Sequence, residues 1–205
     1  MKLAGFFAGL IRRLTRTSFH GLENFPKSGP GLIVTNHLGD ADIVLCLAGL
    51  SIQPDALAKI ELIDLPIFGR WLDRYGGIWV HRGTADRRAL RAALDGLAEG
   101  RFIAIAPEAR QSLTGALEEG TGGAAYLALK TGVPIIPVAL TGTEDENIYG
   151  SWRRLRKPVA SFTIGPPFRL EPEPPRADAI DRGTDVIMRR LAALLPEEYR
   201  GVYSD

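Results

Sequence analysis

The chain has 205 residues, 45% of them hydrophobic, and a formal net charge of +1 at pH 7. This length and composition predict one domain with a substantial core, and the single cysteine, Cys46, excludes a disulfide within the chain. The near-zero charge argues against nucleic acid as a partner, and no uncharged apolar run approaches the roughly 20 residues of a membrane-spanning helix, so any membrane contact must come from a local cluster.

Residues 1–17 differ from the rest of the chain because they combine an apolar stripe with basic residues and no acidic ones. At helical spacing, the stripe consists of Leu3, Phe6, Phe7, Leu10, Ile11 and Leu14, and the opposite side carries Lys2, Arg12, Arg13 and Arg16. This pattern predicts an amphipathic N-terminal helix over residues 1–17 that lies on a membrane surface. The alternative is that the stripe packs against the core of the domain itself.

From residue 30 onward, strand-like and helix-like segments alternate. The predicted strands cover residues 31–35, 56–59, 77–81, 102–106, 135–140 and 159–164. The predicted helices cover residues 42–50, 66–74, 84–98, 121–131 and 177–195. Such alternation is typical of an α/β domain with helices on both faces of its sheet. We therefore predict a single domain over residues 18–205, built on a mixed, largely parallel sheet flanked by helices.

The first predicted strand of this domain leads directly into a histidine and an aspartate, His37 and Asp42. Imidazole titrates near neutrality and can take a proton from a hydroxyl, and a carboxylate on its other nitrogen would fix the tautomer and stabilise the imidazolium. We therefore interpret His37 and Asp42 as a candidate acid–base pair. On spacing alone, a loop histidine next to a helix-capping aspartate is an equally good interpretation.

Charged residues also follow two later strands. Arg82 follows the strand over 77–81, and Glu108 and Arg110 follow the strand that breaks at Pro107. In an open α/β sheet, ligands bind beyond the carboxyl ends of the strands, so these side chains and His37 are predicted to converge on one cleft. Taken singly, each arginine could be a solvated loop residue, and Glu108 could simply begin a short helix.

Four motifs in this order resemble the glycerolipid acyltransferases, of which lysophosphatidate acyltransferase is the best-known type. The resemblance covers residues 20–140, and its motifs are Asn36-His37-x4-Asp42, Gly77-x-Trp79-Val80-His81-Arg82, Pro107-Glu108 and Val133-Pro134-Ile135-Ile136-Pro137-Val138. It implies an acyltransferase fold and acyl transfer from a thioester, either acyl-CoA or acyl carrier protein, to the hydroxyl of a lysolipid. His37 would be the general base and Asp42 its orienting carboxylate. The resemblance assigns contacts with the acceptor to Lys59, Arg82, Glu108 and Arg110.

The resemblance implies no resident cofactor or metal, since a thioester is already activated. It makes 1-acylglycerol-3-phosphate the first choice of acceptor, in phospholipid synthesis, and it favours peripheral attachment at the cytoplasmic face of a membrane. Glu108 could either bind an acceptor hydroxyl or hold the cleft together. Thioester or lipid hydrolysis, and a catalytically inactive lipid-binding relative, are the alternatives from other classes.

The third motif departs from the usual Pro-Glu-Gly-Thr-Arg-Ser run, because Ala109 replaces the glycine and Arg110 arrives one residue early. The alanine matters if the backbone there requires a positive φ, which glycine permits and alanine resists. The segment over 118–123 also carries no cation. With fewer positive charges near the acceptor, a lysolipid without phosphate, such as an amino-acid lipid, is a real alternative.

Overall fold

The structure is a computed structural model that describes residues 9, 11, 13–50, 52, 54–59, 77–80 and 87–204, with the backbone alone for 57–59, 77, 79 and 80. The helix predicted over residues 66–74, Arg82 and most of the N-terminal stripe lie outside the described residues. No helix among the residues that are described is long and apolar enough to cross a bilayer.

A seven-stranded sheet forms the centre of the domain. Its strands are β1 (Arg16–His20), β2 (Gly31–Thr35), β3 (Asp55–Lys59), β4 (Gly77–Val80), β5 (Phe102–Ile105), β6 (Ile135–Thr141) and β7 (Val159–Ile164). They lie in the order β1-β7-β6-β2-β5-β3-β4, and every pair is parallel except β6 with β7. The predicted mixed, largely parallel sheet is confirmed.

Five α-helices with defined bounds accompany the sheet in the described part of the chain: α1 (Ala41–Gly49), α2 (Arg87–Ala98), α3 (Gly123–Thr131), α4 (Asp145–Arg153) and α5 (Ala177–Ala192). They cover both faces, because successive residues of β2 enter different clusters of buried side chains. Leu32 and Val34 belong to the cluster that includes Leu127 of α3, whereas Ile33 belongs to the cluster that includes Leu45 of α1. Burial on both faces explains why β2 is an uninterrupted apolar run.

Strand β1 and helix α4 were not predicted from the sequence. The exposed and half-buried residues of β1 alternate at the edge of the sheet, and α4 buries only Ile148, so neither gives a strong hydrophobic pattern. Because β1 begins at Arg16, the amphipathic helix predicted over residues 1–17 is wrong at its C-terminal end: Arg16 and Thr17 belong to the sheet.

Residues 11, 13 and 14, which precede β1, are helical, and the Thr15 amide donates to the Ile11 carbonyl at 2.8 Å. Ile11 is buried in the domain core, whereas Leu14 is exposed. The alternative interpretation of the stripe, packing against the core, therefore holds at Ile11. Membrane contact by the remaining residues of the stripe stays a prediction.

Candidate active site

Asn36 fixes the direction in which the chain leaves β2. Its buried side-chain amide donates from Nδ2 to the Leu140 carbonyl at 2.9 Å, and its Oδ1 accepts from the Leu140 amide at 2.8 Å. These two bonds tie the end of β2 to β6 in the centre of the sheet. The next residue, His37, is therefore held at the carboxyl edge, which is where parallel α/β sheets place their ligands.

His37 and Asp42 form a hydrogen-bonded pair. Nδ1 of His37 donates to Oδ2 of Asp42 at 2.7 Å, which is within the hydrogen-bonding distance that an orienting carboxylate requires. Asp42 is in the first turn of α1 and only 4% exposed. Its Oδ2 also accepts from the backbone amides of Leu38 and Gly39, at 2.7 and 3.0 Å. The carboxylate is thus fixed by three donors, and one of them is the imidazole ring.

The accessibility of His37 determines what the pair can do. The imidazole side chain is 24% exposed, so a ligand can reach it. Since Nδ1 is engaged by Asp42, Nε2 is the nitrogen that remains to accept a proton from a bound hydroxyl. Asp42 thus orients an imidazole ring that a ligand can reach.

Glu108 is only 5% exposed and binds two loops through backbone amides. Its Oε1 accepts from the His37 amide at 3.3 Å, and its Oε2 accepts from the Glu118 amide at 3.0 Å. Burial raises the pKa of Glu108 to about 7. The two amide hydrogen bonds lower this pKa, but their effect is smaller than that of burial. Of the two roles predicted for Glu108, holding the cleft together fits these contacts, and contact with the acceptor stays a prediction.

The segment after Glu108 is bound to the His37 loop by main-chain and side-chain hydrogen bonds. Ser112 donates its amide to the His37 carbonyl at 2.8 Å, and Gln111 Nε2 donates to the Leu38 carbonyl at 2.8 Å. Ala109 lies between these contacts and Glu108 with a φ of 58°. The backbone therefore needs the left-handed conformation that glycine adopts without strain, and the substitution noted in the sequence places an alanine there.

The predicted cationic residues are only partly brought together. Arg110 is about half exposed and forms an ion pair with Glu118, whose backbone amide is bound by Glu108. Lys59 ends β3, a parallel strand of the same sheet, and the structure describes its backbone only. Arg82 follows β4 outside the described residues, so the convergence of Lys59 and Arg82 on His37 stays a prediction.

Helix α4 adds contacts that the sequence did not indicate. Asp145, its first residue, accepts from the Asp40 amide at 2.9 Å through Oδ1 and from Gln111 Nε2 at 3.4 Å through Oδ2. Asp40 and Asp145 are separated by 105 positions, and α4 was not predicted, so no local pattern could have paired them. The His37 loop is therefore bound to β6, to the segment after β5 and to α4.

Cys46 lies one turn after Asp42 on α1. Burial, and to a smaller extent the nearby Asp42 carboxylate, raise the pKa of its thiol well above the ordinary value. A thiol that stays protonated is a poor nucleophile. Cys46 therefore has the properties of a packing residue.

The fold and this pair define a class of protein: an α/β domain with a hydrogen-bonded histidine–carboxylate pair at the carboxyl edge of its sheet. Residues 16–141 match the family model described as Acyltransferase. The chain therefore belongs to the acyltransferase family, and the resemblance noted in the sequence is confirmed.

Two curated relatives and one crystal structure illustrate the similarity. The chain is 32% identical over 127 residues to the 1-acyl-sn-glycerol-3-phosphate acyltransferase of Borreliella burgdorferi, covering 61% of this chain and 51% of that protein. It is 31% identical over 131 residues to the chloroplastic 1-acyl-sn-glycerol-3-phosphate acyltransferase BAT2 of Brassica napus, covering 62% and 38%. The chain thus spans about half, or less, of the length of these relatives.

The structural match extends further along the chain. The crystal structure of the 1-acyl-sn-glycerophosphate acyltransferase PlsC from Thermotoga maritima superposes with a TM-score of 0.71 at 26% identity, covering 94% of this chain and 78% of that one. The sheet and helices described above therefore follow an acyltransferase fold.

Proposed function

We propose that this protein moves a fatty acyl group from an acyl thioester to the hydroxyl of a lysolipid, with 1-acylglycerol-3-phosphate as the first choice of acceptor. The observation that carries the proposal is the 2.7 Å hydrogen bond from His37 to a buried Asp42, on an imidazole that a ligand can reach. Membership of the acyltransferase family and the names of the two curated relatives support the type of reaction and of acceptor.

In the proposed mechanism, Asp42 holds the Nδ1 proton of His37, and Nε2 takes the proton of the acceptor hydroxyl as its oxygen attacks the thioester carbonyl. The tetrahedral intermediate collapses, the carbon–sulfur bond breaks, and the imidazolium returns the proton to the leaving thiolate. A positioned base contributes about 10²–10⁴-fold to such a step. The acyl-CoA or acyl carrier protein is a co-substrate, and the proposal includes no resident cofactor or metal.

We propose that Lys59 and Arg82 bind the acceptor phosphate, because guanidinium and ammonium groups suit this anion. One observation favours a second candidate, an acceptor without phosphate. Arg110 is already paired with Glu118, which reduces the positive charge that the third motif offers to a ligand. A panel of lysolipids with one acyl donor distinguishes the two, since the first candidate requires faster turnover with a phosphate-bearing acceptor.

We further propose that the N-terminal segment attaches the protein peripherally to the cytoplasmic face of a membrane. The exposed Leu14 and the apolar stripe support the attachment to a membrane surface. Removal of residues 1–10 is the suitable test, because it leaves the buried Ile11 and strand β1 in place. Binding to anionic vesicles should fall in the truncated protein, and unchanged binding would contradict the proposal.

The reaction is tested by thiol release from a long-chain acyl-CoA, with and without 1-acylglycerol-3-phosphate. His37→Ala should lower the acceptor-dependent rate by about 10²–10⁴-fold. His20→Ala, at the exposed end of β1, is the matched control and should leave the rate unchanged. Equal rates in His37→Ala and wild type would remove His37 from the mechanism, and full turnover without an acceptor would indicate a thioesterase.

A further inference from the structure

Helix α4 ends in an exposed segment that combines apolar and basic side chains. Trp152 is 40% exposed and Leu155 is 97% exposed. The cations of this segment, all of them exposed, are Arg153, Arg154, Arg156 and Lys157. The run over residues 152–157 therefore carries four positive charges, no negative charge and a leucine whose side chain is almost wholly in solvent.

Leu155 also has an unfavourable backbone conformation. The Arg156 amide donates to the Ser151 carbonyl and the Leu155 amide to the Trp152 carbonyl, each at 2.9 Å, which is the hydrogen-bond pattern of a Schellman helix end. The residue at this position adopts the left-handed conformation, and Leu155 has a φ of 55°. Glycine usually occupies the position because a Cβ is strained there. In the free protein, Leu155 therefore has neither a relaxed backbone nor a buried side chain.

The exposed segment is continuous with the end of the N-terminal helix. Trp152 Nε1 donates to the Leu14 carbonyl at 3.2 Å, and the Arg16 amide of β1 donates to the Pro158 carbonyl at 2.8 Å. Val159, which is exposed, lies opposite Arg16 in the sheet. We define the α4 patch as the following residues: Leu14, Trp152, Leu155, Val159, Arg153, Arg154, Arg156 and Lys157.

The charge around the patch is positive at the C-terminal end of α4 and negative at its beginning. Within the described residues, none of the four cations forms an ion pair. Arg154 lines a shallow surface hollow together with Glu144 and Glu146 from the start of the helix, and these carboxylates offset its charge. The positive potential of the patch therefore comes mainly from Arg156 and Lys157. An anionic surface would complement these charges.

We propose that the α4 patch docks on an anionic lipid surface, with Leu155 entering the apolar boundary and Arg156 and Lys157 contacting headgroups. A lipid surface supplies the two things that the patch lacks, an apolar medium for exposed leucine and tryptophan and negative charge for the cations around them. This proposal adds a contact site on the folded domain to that of the N-terminal segment, and it does not depend on acyl transfer.

Docking through the α4 patch would also determine how far the His37 loop lies from the lipid surface. Helix α4 has nine residues, so its ends are roughly 14 Å apart at 1.5 Å per residue. Its first residue, Asp145, is hydrogen-bonded to the Asp40 amide in the His37 loop. A surface bound at the end of α4 is therefore joined to that loop by one rigid element.

Leu155→Gly in the full chain separates lipid contact from folding, because the two effects have opposite signs. Glycine relieves the left-handed strain, so the thermal unfolding midpoint should rise. Co-sedimentation with vesicles of equal parts phosphatidylcholine and phosphatidylglycerol should weaken by about tenfold, the loss expected for one leucine no longer buried. Val186→Ala, at an exposed position on α5, is the control and should bind like wild type.

Arg156→Gln combined with Lys157→Gln tests the cations. Binding to the same vesicles should fall by about 5-fold per neutralised residue, with a weaker dependence on salt. Lys27→Gln with Lys130→Gln removes the same charge from exposed positions outside the patch and should have a much smaller effect.

Wild-type binding in both patch variants would overturn the proposal, whether or not the protein transfers acyl groups. An unchanged vesicle affinity with slower turnover of an acyl carrier protein thioester would also overturn it, by identifying the patch as a docking surface for an acidic protein.

Discussion

Glu108 makes the stability of this domain depend on pH in an unusual direction. Its carboxyl is buried between the His37 and Glu118 amides, and burial raises its pKa from 4.5 to about 7. Between these two values the folded protein holds a proton that the unfolded chain has released. The free energy of unfolding therefore falls as pH rises from about 4.5 to about 7, and the contribution of Glu108 levels off above that range.

The size of this effect follows from the difference between the two pKa values. At 1.36 kcal/mol per pKa unit, the contribution of Glu108 to stability decreases by about 3 kcal/mol between pH 4.5 and pH 8. Glu108→Gln removes the titration and keeps the shape. Glutamine has one carbonyl oxygen for the two amide donors, so the variant is expected to be less stable than wild type in acid. The difference in the free energy of unfolding between Glu108→Gln and wild type should become smaller, or change sign, above pH 7.

Urea unfolding of wild type and Glu108→Gln at several pH values between 4.5 and 8 measures this difference directly. Glu119→Gln is the matched control, because Glu119 is exposed and close in sequence, and its difference from wild type should change little with pH. If the difference between wild type and Glu108→Gln is constant across this range, Glu108 is not a buried group with a raised pKa, and the reasoning is refuted.

Two further substitutions test how the site is built. Ala109→Gly should raise the free energy of unfolding by about 1 kcal/mol, because glycine adopts the φ of 58° without strain; an unchanged or lower urea midpoint would show that the alanine is not strained. Asn36→Ala should cost about 3 kcal/mol, since it leaves the buried amide and carbonyl of Leu140 without partners, and a loss below 1 kcal/mol would contradict the anchoring role of Asn36.

The strands and helices with a strong hydrophobic pattern, whose apolar side chains are buried, were predicted from the sequence. Strand β2 was recognised with its observed bounds, because Leu32, Ile33 and Val34 are buried on both faces and the polar Asn36 follows at once. Strand β1 and helix α4 were missed because one lies at the sheet edge and the other buries a single hydrophobic residue. Local pattern thus identifies the centre of this domain better than its periphery.

The candidate site was predictable in part for a similar reason. His37 and Asp42 are five positions apart, so the strand end and the first turn of α1 bring them together locally. Glu108 binds backbone amides rather than a side chain, and Asp145 reaches a loop 105 positions away. Backbone donors leave no signature in a sequence, and such distant pairs form only when the sheet is assembled. The replacement of the usual glycine by Ala109 could be interpreted from the sequence, because alanine is strained there only if the backbone has a positive φ, and the φ of Ala109 is 58°.

The basic run over residues 153–157 was visible in the sequence, but its meaning depends on surroundings that only the fold supplies. Trp152 contacts the chain at Leu14, and Leu155 is exposed in a left-handed conformation at the helix end. These features associate the cations with apolar surface, and a string of charges alone would not distinguish a lipid contact from a solvated loop.

The most direct test of the proposed chemistry is a double-mutant cycle on the acceptor-dependent acyl transfer rate, using His37→Ala, Asp42→Asn and both together. Because Asp42 holds the ring of His37 and has no other role in the mechanism, Asp42→Asn should slow wild type severely and have almost no effect in the His37→Ala background. Circular dichroism of each variant should match that of wild type. If Asp42→Asn slows both backgrounds by the same factor, the two residues act independently, and the proposal that His37 is a base oriented by Asp42 is contradicted.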